Sequence, residues 1–180
     1  QGGILDMSYL RVIPNVVVAA PMNENELQHM VKMAVDYNKG PIAVRYPKGQ
    51  GSGMPLDAEF KTIPIGKAEL LKDGNDVTLL AIGWEAQDAI IAAAELEKQG
   101  ISAAVINARF VKPLDEEMVL KFAKKTGKII TIEENTLVGG FGSAVLECLE
   151  KHDITNVSVK RIGAEDGYIP FDTLANIKKS

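Results

Sequence analysis

The sequence has one cysteine, Cys148, and two histidines, His29 and His152, in 180 residues. A single cysteine makes no internal disulfide, and with only two histidines beside it the supply of ligands for a zinc site is poor. Cys148 follows the apolar run Ala144-Val145-Leu146, which favours a buried helical thiol over a nucleophile. An excess of positive charge is also lacking. Lys and Arg number 20 against 24 Asp and Glu, a net charge of −4, so no basic surface is available to neutralise many phosphates, which argues against a nucleic-acid partner. The longest apolar runs, Val16 to Ala20 and Val77 to Ile82, fall far short of the ~20 residues that a membrane-spanning helix needs. The opening Gln1-Gly2-Gly3-Ile4-Leu5-Asp6 has no basic stretch leading into an apolar one, hence no secretory signal. A cytoplasmic protein without a membrane partner is expected, and the missing initiator methionine suggests a fragment.

What is present is enough for a core: 46% of the residues are apolar, and against a prior of roughly 150 residues per domain the length suits one generous domain or two compact ones. Val16 to Ala20, closed by Pro21, has the pattern of a fully buried strand. Asn23 with Glu26 predicts a helix start, and Leu27, Met30, Val31 and Ala34 then share one face. Asn38 to Pro41 stops that helix, and Ile42 to Val44 begins a second buried strand. From Lys48 to Pro64, scattered glycine and proline among polar residues predict an interdomain linker.

The second half alternates more regularly. Gly66 to Leu71 and Val77 to Ile82 flank Asp73-Gly74, which predicts a hairpin. A helix from Glu85 to about Lys98 carries Ala86, Ala89, Ile90 and Ala93 on one side, and Trp84 just before it suits a domain or subunit surface. Ala103 to Ala108 is the next strand. Asp115 is placed to cap a helix, with Leu114 and Val119 as a staple, ending at Gly127. Strand, helix and strand follow at 128–133, 142–151 and 157–162. Alternating strands and helices imply parallel pairing with right-handed crossovers, hence an α/β three-layer sandwich with a mostly parallel sheet.

Two places invite a functional reading. Arg45-Tyr46-Pro47-Lys48-Gly49 sets two cations at the carboxyl end of a strand, the edge where open α/β sheets bind ligands. Arg45 as a bidentate fork, or Lys48 as a point charge, suits a phosphate or carboxylate; a solvated strand end with Arg45 in a surface ion pair is the plainer alternative. The second place is Glu133-Glu134-Asn135 followed by Gly139-Gly140-Phe141-Gly142-Ser143. Free N–H groups at a glycine-rich helix start can cradle an anion. The third glycine of a dinucleotide fingerprint and the Lys-Ser or Lys-Thr of a phosphate loop are missing, two glutamates would repel a phosphate, and close backbone packing explains the glycines equally well. Asp115-Glu116-Glu117 reads as acid at a helix start and not as a metal cluster. His29 lies on a helix beside Met30, and no nucleophile–base pair is assembled around it.

Taken in order, these blocks resemble a known family. Asp6-Met7-Ser8-Tyr9-Leu10-Arg11, Ala20-Pro21-Met22-Asn23-Glu24-Asn25-Glu26 and Ala43-Val44-Arg45-Tyr46-Pro47-Lys48-Gly49, then Ala108-Arg109-Phe110-Val111-Lys112-Pro113-Leu114-Asp115, Thr131-Ile132-Glu133-Glu134-Asn135 and Gly139 to Ser143, are similar to consecutive blocks of the 1-deoxy-D-xylulose-5-phosphate synthases. The resemblance implies a three-domain, homodimeric, thiamine-diphosphate- and Mg²⁺-dependent enzyme that condenses pyruvate with glyceraldehyde 3-phosphate and releases carbon dioxide, feeding isoprenoid, thiamine and pyridoxal synthesis. It implies residues 1–48 as the end of a pyrimidine-binding domain, 49–64 as a linker and 65–180 as a transketolase-type C-terminal domain. The family's cofactor and metal ligands lie in segments not represented here, so no cofactor is expected on this chain alone and no activity from it. The family's substrate-facing histidine position is occupied here by Gln1-Gly2. What carries over is a substrate-phosphate anchor: Lys48, where the family usually has arginine, with Arg45 as the second candidate. A 2-oxo-acid dehydrogenase β-type subunit fits the Arg-Tyr-Pro and Val-Lys-Pro-Leu-Asp blocks less well, and a free-standing α/β dimerisation module is the non-enzymatic alternative.

Overall fold

Short local signals start two of the five helices among the described residues. In the computed structural model, which describes residues 3–167, Asn23 Oδ1 accepts from Glu26 N at 2.8 Å to start one helix, and Asp115 Oδ1 accepts from Met118 N at 3.2 Å to start another. Gln1, Gly2 and residues 168–180, the end of the expected second domain, lie outside the described residues. The elements are α1 (Asp6–Arg11), β1 (Val17–Ala19), α2 (Glu24–Asp36), β2 (Ile42–Val44), β3 (Glu69–Lys72), β4 (Val77–Ala81) and α3 (Glu85–Lys98). They continue with β5 (Ala103–Asn107), β6 (Phe110–Lys112), α4 (Glu116–Thr126), β7 (Lys128–Thr136), α5 (Phe141–Lys151) and β8 (Ser158–Ala164).

Five strands form one sheet in the order β3-β5-β4-β7-β8, parallel except for β3. Successive β4 side chains point to opposite faces. Leu79 and Ala81 pack with Ala86, Ala89 and Ala93 of α3, whereas Leu80 and Ile82 pack with Val119 and Phe122 of α4 and Val145 of α5. Helix, sheet and helix therefore make the three layers that the alternation of elements predicts. Among the described residues no helix is long and apolar enough to cross a membrane.

The expected hairpin between β3 and β4 is not formed. β5 lies between them, antiparallel to β3 and parallel to β4. A two-residue type I′ turn requires positive φ at both central positions, and neither Asp73 nor Gly74 has it. Gly74 instead answers a close approach, because a Cβ there would lie 2.2 Å from the Ala103 carbonyl carbon and the Ala104 nitrogen.

A second, three-stranded sheet has the order β2-β1-β6, with β1 and β2 parallel and β6 antiparallel to β1. β6, absent from the sequence expectation, stitches the later half of the chain to the earlier one. Ile42–Val44 lies at an edge and is half-buried, not the fully buried strand expected. α2 is also turned from its expected face: Val31 is 47% exposed, whereas Glu26 and His29 are buried with Met30. The two polar side chains can be buried because distant residues bond them, as described below. Residues 49–64 contain no helix or strand. Trp84 takes the N-cap position of α3 and is half-buried.

Candidate functional site

β2 delivers Arg45 to the carboxyl edge of the larger sheet, and its backbone N–H continues the ladder by donating to Ala19 O at 2.8 Å. The Arg45 side chain is 8% exposed. Its Nε reaches Asp6 Oδ2 at 3.3 Å, Nη1 reaches Glu134 Oε2 at 2.6 Å, and Nη2 donates to the carbonyls of Gly3 and Glu134, both at 3.1 Å. These four contacts commit four of the five guanidinium N–H bonds. No free fork is left for a ligand. Three residues on, Lys48 is exposed, and among the described residues it makes no hydrogen bond or ion pair. The strand end thus holds one committed and one free cation.

The glycine-rich start of α5 already holds an anion. Glu133, 3% exposed, accepts from Phe141 N at 2.6 Å through Oε2 and from Gly142 N at 2.7 Å through Oε1. Burial pushes its carboxyl above the ordinary range, opposed by those two N–H donors. Close packing accounts for the glycine beside it, since a Cβ on Gly140 would lie 2.2 Å from Glu133 Oε2. Adjacent strand residues face opposite ways, so Glu133 serves α5 while Glu134 serves Arg45. The pair of glutamates is divided between two structural tasks.

A third polar cluster was not legible in the sequence. Glu26, 6% exposed, accepts from Met22 N at 2.7 Å, from Asn107 Nδ2 at 3.0 Å and from Arg109 Nε at 2.6 Å. Arg109 Nη2 reaches on to Glu69 at 2.6 Å. The capping-box spacing was the available signal. Its return bond falls on Met22, one residue before the cap, and the spare oxygen capacity binds Asn107 and Arg109. His29 likewise has partners that sequence proximity hides. Its Nε2 meets Asp57 Oδ2 at 2.9 Å, and its Nδ1 accepts from Lys61 N at 3.1 Å. The ring therefore pins the 49–64 segment to α2. Asp57 is held well below the usual carboxylate range, chiefly by Lys61 and then by Asn25 and His29.

Two clefts of about 270 Å³ indent the described surface. One lies between α2 and the 49–64 segment, with Tyr37, Phe60 and Ile63 in its wall; the other lies between α1, α4 and α5. Neither is lined by Arg45 or Lys48. Lys48 is exposed, three residues beyond the bound Arg45.

Residues 66–178 match the family described as transketolase, C-terminal domain, and residues 1–52 match the transketolase pyrimidine binding domain. The chain belongs to the transketolase C-terminal domain family. Within it, the chain is 52% identical over 176 residues to the 1-deoxy-D-xylulose-5-phosphate synthase of Halothermothrix orenii, covering 98% of this chain and 28% of that protein. It is 51% identical over 177 residues to the synthase of Heliobacterium modesticaldum, covering 98% and 27%. With synthase 1 of Geobacter sulfurreducens the identity is 55% over 167 residues, covering 93% and 26%. The chain thus spans about a quarter of the length of these curated relatives. Among solved structures it is similar to a split gene transketolase described as an inactive beta4 tetramer, with a TM-score of 0.78 and 32% identity over 91% of this chain and 53% of that one. The resemblance to the carboxyl-terminal portion of the synthases, read from the sequence blocks, is shown.

Proposed function

We propose that the chain is the carboxyl-terminal part of a thiamine-diphosphate-dependent synthase that condenses pyruvate with glyceraldehyde 3-phosphate to 1-deoxy-D-xylulose 5-phosphate, releasing carbon dioxide. The observation that carries this is the 52% identity across 98% of the chain. Identities of 49–55% with proteins bearing that one name favour it over a dehydrogenase β-type subunit. In this reading residues 1–48 close a pyrimidine-binding domain, 49–64 link, and 65–180 form the C-terminal domain. The enzyme is a cytoplasmic homodimer whose product feeds isoprenoid, thiamine and pyridoxal synthesis.

The described residues do not fit the cofactor's diphosphate or its Mg²⁺. The one glycine-rich helix start among the blocks compared above is filled by Glu133, and Glu134 is bound to Arg45. In this reading those groups are held by segments outside this chain. What this chain supplies is substrate binding. Lys48, on a flexible arm at the end of β2, meets the phosphate of glyceraldehyde 3-phosphate as a point charge. Arg45 is the positioning residue that locks the strand end to α1 and β7, so that the lysine projects from a rigid edge.

The test is direct. Mixed with pyruvate, glyceraldehyde 3-phosphate, thiamine diphosphate and magnesium, the isolated 180-residue chain gives no product, while a full-length synthase ending in this chain turns over. Turnover by the chain alone above a no-protein control, or none by the full-length protein, contradicts the proposal.

A further inference from the structure

Outside the strand-end site, one cluster joins three different ligand chemistries. Glu116 opens α4, whereas Cys148 lies in the last turn of α5 and His152 is the C-cap of that helix. Cys148 and His152 are four residues apart, the spacing that puts two side chains on one helix face. α4 and α5 pack on the same face of the larger sheet. Their ends therefore bring a carboxylate, a thiol and an imidazole together, with one ligand atom from each within 4.8 Å of the others. His152 Nε2 lies 2.8 Å from Glu116 Oε2. The thiol is buried but not sealed, since Cys148, Glu116 and Lys151 line the cleft between α1, α4 and α5.

We propose that Glu116, Cys148 and His152 form a three-ligand site for zinc or a zinc-like divalent cation, with water in the fourth position. Bond lengths of about 2.3 Å to sulfur and about 2.0–2.2 Å to nitrogen and oxygen place tetrahedral ligands roughly 3.3–3.7 Å apart. Rotation of the half-buried Glu116 and the exposed His152 closes the remaining gap. Thiolate with imidazole selects zinc and cobalt over magnesium, which demands six oxygen-type ligands. Burial, and then the Glu116 charge, push the Cys148 thiol up to about 11. The free thiol is accordingly protonated, and binding releases one proton to solvent as the metal–sulfur bond forms. His152, whose Nε2 proton meets Glu116 in the metal-free chain, binds through the Nε2 lone pair once that proton has passed to Nδ1, a change of tautomer that releases no further proton. No group is oxidised or reduced. One thiolate and one carboxylate then balance the double charge of the ion. Lys151, whose Nζ now bonds both Glu116 oxygens at 2.9 and 3.1 Å, must swing away, so it is the built-in competitor. The bound ion ties the start of α4 to the end of α5.

The test is titration of the 180-residue chain with Co²⁺ in a buffer free of thiols, followed by displacement with Zn²⁺. One equivalent is expected, with a thiolate-to-cobalt charge-transfer band in the near ultraviolet that Zn²⁺ abolishes. Cys148→Ser removes the band, and His152→Ala weakens Co²⁺ binding by about tenfold or more. Lys151→Gln, an exposed change that leaves the core intact, tightens binding by removing the competitor. No charge-transfer band in the unaltered chain overturns the site. So does a band that survives Cys148→Ser, or an affinity indifferent to both His152→Ala and Lys151→Gln.

Discussion

Replacing Arg45 with methionine keeps the bulk of the side chain and deletes a guanidinium that is 8% exposed. Asp6 and Glu134 then face each other's neighbourhood without a cation, at side-chain exposures of 21% and 18%. Removing one member of a fully buried ion pair costs about 3–5 kcal/mol. Both carboxylates retain some access to water, which lowers the expected loss to about 2–3 kcal/mol. In a chain of this size each kcal/mol moves the melting temperature by about 2–4 °C, so a fall of roughly 4–12 °C is expected in a reversible thermal scan. Glu134→Gln in the Arg45→Met background should cost much less than in the original chain, with a coupling of at least about 1 kcal/mol across the cycle. Because the pair is shielded from solvent, raising the salt concentration should leave that coupling largely intact. A melting temperature unchanged in Arg45→Met, or strictly additive single and double variants, would refute the clamp described here.

Gly140→Ala places a methyl group 2.2 Å from Glu133 Oε2 and 2.5 Å from Thr136 O, so the carboxylate must leave its two N–H donors. Loss of one or both charge-assisted bonds predicts about 1.5–6 kcal/mol of destabilisation by chemical denaturation, and wild-type stability in this variant contradicts the seat. Glu24 sits at about 2, held down first by its own backbone N–H and further by Met54 and Ser52. Because its folded value lies below the ordinary 4.5, its contribution is present above that pH and is lost as pH falls toward 2. Hydrogen exchange at the Met54 amide, which donates to Glu24 at 2.9 Å, should therefore accelerate over that window relative to the buried β4 amides; uniform protection down to pH 2 would count against it.

What was legible in the sequence was local. The caps at Asn23 and Asp115 act over three residues, and each sits where its spacing predicts. The three-layer order followed from the alternation of strands and helices. Pairing at long range was not legible. The Asp73-Gly74 pair carries the composition of a hairpin turn but not its φ angles, and β5 intervenes. β6 has only three residues, and its partner β1 lies more than ninety positions earlier. Burial of Glu26 and His29 in place of Val31 depended on Asn107, Arg109 and Asp57, none of them near in sequence. The strand-end site divides in the same way. Its two cations stood out from their position after a strand, but Arg45 meets its carboxylates 39 and 89 residues away, and only the folded chain separates a committed cation from a free one.

The proposed role of Lys48 as anchor for the phosphate of the phosphosugar substrate is measured in a full-length synthase that ends in this chain. Lys48→Ala removes one charge-assisted interaction of about 1.5–3 kcal/mol. The KM for glyceraldehyde 3-phosphate should then rise roughly ten- to a hundredfold while the KM for pyruvate, which has no phosphate, moves little. Lys48→Arg should retain most of the activity. An unchanged KM for the phosphosugar in Lys48→Ala, or an equal rise for both substrates, would contradict the account.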